Sequence, residues 1–166
     1  GRVLSMLSKL VQPTLALEIG TFTGYATICL AEGLAEGGVL HTIDINEEQQ
    51  ERVQGYFEQS DYASQIVYHI GDAAEVIPTI DGQFDLIFID ADKKRNLYYF
   101  QELIDRVKTG GLILIDNVLW KGKVFDDKPD SQTKQVIELN KTLASDNRVE
   151  KLILPIRDGL FVLRKK

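Results

Sequence analysis

Phe84-Asp85-Leu86-Ile87-Phe88-Ile89-Asp90-Ala91-Asp92-Lys93 decides the fold. It reads as a buried apolar strand whose C-terminal end turns acidic. Gly111-Leu112-Ile113-Leu114-Ile115-Asp116-Asn117 has the same form. In an open α/β sheet the carboxyl ends of the strands are where ligands bind. Asp90, Asp116 and Asn117 offer two carboxylates and an amide carbonyl there, an all-oxygen set suited to a hard divalent cation such as Mg²⁺. A third tip, Leu17-Glu18-Ile19-Gly20-Thr21-Phe22-Thr23-Gly24, supplies a glycine turn into a helix. The three tips together point to a metal-assisted enzyme that also binds a nucleoside-type cofactor.

Around these tips, strands and helices alternate. Val3, Leu4, Leu7, Leu10 and Val11 follow helical spacing up to Pro13. Residues 15–19 read as a strand and 25–35 as a helix ending at Gly37-Gly38. Residues 39–44 form the second strand, and Asn46 caps a helix with Val53, Tyr56 and Phe57 on one face. Residues 66–70 form a third strand, followed by a short helix from Asp72 to near Pro78. After strand 84–90 comes a helix with Leu97, Phe100, Ile104 and Val107 in register, closed by Gly110-Gly111. A fifth strand and a longer loop over 118–130 follow. A helix over 131–145 carries Val136, Leu139 and Leu143 on one face. Residues 149–154 and 160–164 are strands joined only by Pro155-Ile156-Arg157-Asp158-Gly159, too short for a parallel crossover, so they form an antiparallel hairpin. The predicted fold is α/β and doubly wound, a mostly parallel seven-stranded sheet with an antiparallel last strand. No repeat or linker interrupts it, and one domain over residues 1–166 is expected.

The chain has 166 residues, enough for one core without staples. Its 44% apolar and 27% charged content is ordinary for a globular protein. A net charge of −6 argues against a nucleic-acid binder. No apolar run reaches membrane-spanning length, and the lone Cys29 allows no internal disulfide, which fits a cytoplasmic location. Residue 1 is Gly and already lies in an amphipathic pattern, so a truncated or processed N-terminus is expected. His41 and His69 within strands, and Cys29 on a helix, read as core or surface filler. With no His or Cys cluster, a zinc site is not expected.

The spacing Gly20-x-x-x-Gly24 differs from the G-x-G-x-x-G of dinucleotide sites, which speaks against an NAD(P)-dependent oxidoreductase. A smaller anion, such as an amino-acid carboxylate, can rest on the amides of the next helix. Glu18 can attract an ammonium group, and one carboxylate plus one ammonium is what the methionine end of S-adenosylmethionine presents. Asp44 stands where an acidic residue commonly grips ribose hydroxyls. Asp72 can accept from the adenine amino group, with Ala73 beside the ring. Taken singly, Asp44 and Asp72 also read as plain helix caps; their placement on consecutive strand tips favours the ligand.

On Leu17-Glu18-Ile19-Gly20-Thr21-Phe22-Thr23-Gly24-Tyr25, Asp44-Ile45-Asn46, Gly71-Asp72-Ala73, Phe88-Ile89-Asp90-Ala91-Asp92-Lys93 and Asp116-Asn117-Val118-Leu119-Trp120, the chain resembles the cation-dependent O-methyltransferases. That family includes caffeoyl-CoA and catechol O-methyltransferases. The resemblance covers the whole chain and suggests a bacterial-type member with a shortened N-terminus. It implies the Rossmann-like class I S-adenosylmethionine-dependent methyltransferase fold. Implied cofactor contacts are Glu18, Gly20, Thr21, Gly24, Tyr25, Ala26, Asp44, Asp72, Ala73 and Asp90. Where the family often has a serine that helps hold the methionine end, this chain has Ala26, so one hydrogen bond is lost. Asp90, Asp116 and Asn117 are the implied ligands of Mg²⁺, with Mn²⁺ or Ca²⁺ as other candidates.

By the same resemblance Lys93 and Asp90 are catalytic, and Lys93 acts near the substrate hydroxyl as base or as oxyanion stabiliser. Trp120 is expected to wall a planar substrate beside Lys93. Arg95, Lys121 and Lys123 either attract an anionic substrate tail or are simply solvated. The expected partners are a small aromatic diol and a second copy of the chain, with no membrane. A hydroxylated tRNA nucleoside stays open as an alternative acceptor, as does a non-catalytic cofactor-binding module.

Overall fold

The computed structural model describes every residue from Gly1 to Lys166. Seven strands, β1 (Leu15–Ile19), β2 (Val39–Asp44), β3 (Ile66–Ile70), β4 (Phe84–Ile89), β5 (Val107–Asp116), β6 (Val149–Leu154) and β7 (Leu160–Lys165), form one sheet in the order β3-β2-β1-β4-β5-β7-β6. Six helices connect them: α1 (Arg2–Val11), α2 (Tyr25–Ala31), α3 (Gln50–Glu58), α4 (Ala73–Val76), α5 (Asn96–Leu103) and α6 (Ser131–Ser145). β2 runs parallel to β1 and β3, whereas β7 is antiparallel to both β5 and β6. This is the expected doubly wound sheet with its antiparallel last strand. No helix is long and apolar enough to cross a membrane. The chain divides into two compact units, Gly1–Ile87 and Phe88–Lys166.

In the first unit, Leu17, Leu40 and Ile43 fill the sheet, and Val53 and Phe57 of α3 are buried with them. Tyr56, expected on the same face, is exposed instead. The polar break in the β4 pattern has a use: the Asp85 carboxylate accepts from the amides of Thr14 and Leu15 and from the Thr14 hydroxyl, at 2.8–3.1 Å. α1 lies on α2 through small polar contacts. Ser8 donates to the Leu30 carbonyl at 2.6 Å, and Glu32 accepts from Ser5, Lys9 and Arg2. The Ser5 hydrogen bond, then that from Lys9, draws the Glu32 carboxyl down to about 2. α2 ends at Ala31, four residues before the predicted end. Just past that end Gly33 lies against α1, where any Cβ would come within 2.3 Å of the backbone at Ser8 and Lys9. The expected helix after Asn46 opens as a 3₁₀ turn over Glu47–Gln49, with the Asn46 side chain accepting from the Glu48 amide at 2.9 Å.

In the second unit, Phe100 and Leu103 of α5 and Val136, Leu139 and Leu143 of α6 are buried with the β5 residues Ile113, Leu114 and Ile115. The predicted helix end at Gly110-Gly111 is corrected. α5 stops at Leu103, a 3₁₀ turn covers Ile104–Arg106, and β5 begins at Val107 and runs through both glycines. Gly110 takes φ 85°, so the strand bends there without breaking. The 118–130 loop contains a kinked 3₁₀ segment, Trp120–Phe125, before Asp130 caps α6 by accepting from the Thr133 amide at 2.7 Å.

His41 and His69 are more than filler. The β2–β3 register pairs His41 with Val67 and Ile43 with His69, and His41 Nδ1 lies 2.9 Å from His69 Nε2. The ring planes differ by only 15° with centroids 5.2 Å apart. With the nitrogens that close, the rings meet edge to edge rather than stack. Such a contact holds one proton, and charging both rings would set N–H against N–H. Burial lowers both imidazole pKa values, and the charge of His69 lowers that of His41 further. The unfolded chain therefore binds protons first as pH falls below about 6.5. Stability from the pair is complete above that value and lost as pH drops toward the lowered folded values. The melting temperature should fall between pH 7.5 and pH 5.5, two readings chosen at roughly one unit either side of the free imidazole value. The fall should shrink in the His41→Gln/His69→Gln double variant; an undiminished fall there would assign the effect elsewhere.

Candidate active site

In the first unit the β1 tip is built by the turn from Gly20 to Gly24. Gly20 and Gly24 take φ 103° and 77°. Gly24 is also pinned by packing, because a Cβ there would meet the Phe57 ring at 2.6 Å. The turn is tied to β2 by the Gly20 amide, which donates to the Ile43 carbonyl at 2.9 Å. Asp44 finishes the tie: its carboxylate accepts from the Phe22 amide at 2.6 Å and from the Asn46 amide at 2.9 Å.

Beneath the turn lies a polar network. Glu18 is fully buried, and its Oε2 accepts from the hydroxyls of Thr27 and Thr42. Thr42 gives its single hydroxyl proton to Glu18, so Thr21, 2.6 Å away, must be the donor to Thr42. Glu18 and Thr21 thus face each other's neighbourhood rather than solvent. Tyr25 and Phe22 are exposed and Ala26 half-buried. Asp72 caps α4 by accepting from the Ala74 amide at 2.9 Å, and Ala73 beside it is buried.

In the second unit, Asp90, Asp116, Asn117, Lys121, Arg157 and Asp158 line one open cleft of about 510 Å³. All three expected metal ligands are therefore brought together. Lys93 reaches the cleft through Asp90, whose Oδ1 accepts from the Lys93 ammonium at 3.0 Å. Burial first pushes the Asp116 carboxyl above its ordinary range; the Asn117 amide, donating at 2.7 Å, opposes this, and the charge of Asp90 adds to the rise. Lys93 and Arg157 pull the other way. A partly buried pair of mutually repelling carboxylates with a neighbouring amide oxygen fits a hard dication. No three His, Cys, Asp or Glu side chains converge on a metal position, so such an ion would complete its shell with solvent, as Mg²⁺ usually does. Trp120 is half-buried with its indole N–H enclosed and without an acceptor, and it is not among the cleft residues.

Comparison with known proteins places the chain in a family. The sequence family described as O-methyltransferase matches residues 1–166. Caffeoyl-CoA O-methyltransferase 1 of Nicotiana tabacum is 39% identical over 179 residues, which span 99% of this chain and 74% of that protein. The chain belongs to the O-methyltransferase family. The enzyme class expected from the sequence, an S-adenosylmethionine-dependent O-methyltransferase, stands. Among solved structures, TomG from Streptomyces achromogenes, an O-methyltransferase involved in tomaymycin synthesis and solved with SAM, has TM-score 0.91 at 29% identity, covering 99% of this chain and 78% of its own. An O-methyltransferase from Bacillus cereus in complex with SAH has TM-score 0.92 at 28% identity, covering 99% and 80%.

For this O-methyltransferase, sequence reasoning missed four residues of the two sites. Thr27 and Thr42 carry no signal beyond their place on a helix and a strand that face Glu18. Arg157 and Asp158 lie far along the chain from Asp116, and only the β5–β7 register, which pairs Asp116 with Leu160, delivers them. That register follows from the hairpin, so the signal was present but indirect.

Asp44 ties the turn together whether or not a ligand is bound. Hydrogen bonds to a charged group contribute about 1.5–3 kcal/mol each, less where solvent competes. Asp44→Ala should therefore lower the melting temperature of the ligand-free protein by roughly 3–8 °C, at about 2–4 °C per kcal/mol for a chain this long. Asp44→Asn, which keeps one acceptor oxygen, should fall between. A ligand-free melting temperature unchanged in Asp44→Ala would remove this anchoring role.

Proposed function

We propose that this chain transfers a methyl group from S-adenosylmethionine to one hydroxyl of a vicinal dihydroxy aromatic small molecule, of catechol, caffeate or caffeoyl-CoA type, with the help of a divalent cation. The observation that carries the reading is the gathering of Asp90, Asp116 and Asn117 on one cleft with Lys93 beside them. The N. tabacum relative's name, and the SAM and SAH held by the two bacterial O-methyltransferases, support the donor and the acceptor class. A homodimer, a cytoplasmic location and a single catalytic domain over the whole chain belong to the same proposal.

In the first unit, the turn from Gly20 to Gly24 leads into α2, whose leading amides have no partner within the helix and suit the donor's carboxylate, and Asp44 and Asp72 offer acceptors for ribose and adenine. Once bound, the donor supplies the methyl group and the cation lowers the pKa of a phenol from about 10 toward neutrality. In-line displacement at a methyl carbon needs a nearly anionic oxygen held in place. Asp90, Asp116 and Asn117 are the residues that would hold the cation. Lys93 has a side chain only 11% exposed and commits its hydrogen bond to Asp90, which suits it to stabilise an oxyanion more than to accept a proton.

Three measurements test this. S-adenosylhomocysteine at about 100-fold over its dissociation constant should add roughly 2.7 kcal/mol of stability, while NAD should add none. Chelator should abolish methyl transfer to a catechol, and Mg²⁺ or Mn²⁺ should restore it; Asp116→Ala should be inactive yet keep the thermal response to S-adenosylhomocysteine. A catechol should outpace its matched monophenol by about a hundredfold, because proximity effects of several kcal/mol convert at tenfold per 1.36 kcal/mol. Full activity in chelator, or turnover of bulk tRNA in place of any diol, would overturn the reading.

A further inference from the structure

Two cations line the same cleft as the acid pair without being committed to a direct contact within the protein. Lys121 and Arg157 are exposed, and neither side chain has a hydrogen-bond or ion-pair partner. Both hold left-handed backbone at φ 53°, where a residue with a Cβ is disfavoured relative to glycine. Their positions are nonetheless fixed. Asp158 accepts from the Lys121 amide through its carboxylate and from the Leu119 amide through its carbonyl, the latter at 2.9 Å. The Val118 amide donates to the Gly159 carbonyl at 3.2 Å. The hairpin turn and the segment after β5 are thus clamped together, and an arginine in strained backbone is held at the cleft. Strain kept at such a place points to use.

The charges say what kind of use. Asp90, Asp116 and Asp158 are matched by Lys93, Lys121 and Arg157, so the lining is neutral as it stands. With a dication on the acid pair it carries two positive charges. A diol that has lost one proton cancels one of them. One positive charge is left over, and Arg157 and Lys121 are the cations of the lining that are not paired with a carboxylate. A cleft of about 510 Å³ is the size of a small aromatic molecule, so the complementary anion must sit on the ring or on a short side chain. The phosphates at the far end of a coenzyme A thioester lie beyond that reach, and the thioester has no carboxylate of its own near the ring.

We propose that Arg157, with Lys121, selects acceptors that carry a carboxylate close to the diol: free dihydroxybenzoate- or dihydroxycinnamate-type acids, in preference to neutral catechols and thioesters. This rests on the diol-methylating function proposed above and narrows its substrate class. The planar guanidinium pairs with a carboxylate through two parallel hydrogen bonds, which a lysine alone does not reproduce.

The test compares a vicinal dihydroxybenzoate, the matched dihydroxybenzyl alcohol and caffeoyl-CoA as acceptors, with S-adenosylmethionine and Mg²⁺, in the whole chain. The acid should exceed the alcohol in kcat/KM by about tenfold or more, as expected for a charge-assisted contact, with the difference residing in KM and shrinking in added salt. Arg157→Gly should bring the ratio close to one, Arg157→Lys should keep part of it, and Arg157→Glu should invert it. Because glycine suits the left-handed backbone, Arg157→Gly should melt no lower than the parent, which keeps a folding defect from mimicking the result. Independently of turnover, calorimetric binding of the acid in the presence of S-adenosylhomocysteine and Mg²⁺ should weaken about tenfold in Arg157→Gly. If the alcohol is methylated but the acid is not preferred, if the thioester is preferred, or if Arg157→Gly leaves the ratio intact, the role of Arg157 is overturned while the diol reading survives. If no diol is methylated at all, both fall together.

Discussion

Asp90 and Asp116 bring two negative charges into one cleft, and a partly buried pair of that kind is costly unless positive charge stands close by. The surroundings answer that demand in layers. Lys93 ion-pairs with Asp90 at 3.0 Å, and the Asn117 amide donates to Asp116 at 2.7 Å. Arg157 acts on Asp116 from the hairpin turn. The Asp116 carboxyl remains raised in spite of them, first through its burial and then through the charge of Asp90. The backbone beyond β5 is contorted as it leaves the cleft: Asn117, Trp120 and Lys121 all take left-handed φ, and Asn117 and Lys121 line the cleft.

The parts of this site that the sequence displays are those set by a single strand. A buried strand must be apolar, so the acids at 90 and 116 stand out against Ile89 and Ile115, and their place at strand ends follows from the alternation of elements. The parts it conceals are those set by register. Arg157 and Asp158 reach the cleft because Asp116 pairs with Leu160, and His41 meets His69 because β2 and β3 align at Ile43 and His69. Each of these pairings was implied by the fold, yet neither partner carries a local signature. Helix ends were misread for a similar reason. Gly37-Gly38 and Gly110-Gly111 look like stop signals of equal weight; α2 closes well before the first pair, and the second pair sits inside a strand.

The β1 tip shows how structure and ligand binding can share the same groups. Glu18 is held below the turn by Thr27 and Thr42, and Thr21 closes the chain of hydroxyls. That network fixes the floor on which the turn from Gly20 to Gly24 rests, so the exposed amides at the start of α2 are presented without depending on a ligand to order them. Gly24 adds a steric reason, since Phe57 of α3 occupies the space of its missing side chain.

Asp44 raises the question of whether a residue already bonded to two amides has anything left for a cofactor. An ionised carboxylate offers about four lone-pair sites on its two oxygens. The Phe22 and Asn46 amides take one on each oxygen, at 2.6 and 2.9 Å. One site on each oxygen remains, which is the number that the two hydroxyls of a ribose require. The two amides also set the rotation of the carboxylate in advance, so for the proposed cofactor the remaining lone pairs would be aimed before it arrives, and the ordering cost would be met by folding rather than by binding. On the proposed reading a residue of this kind is a cap in the free protein and a ligand in the complex, and the alternatives weighed for it from the sequence become one arrangement seen in two states.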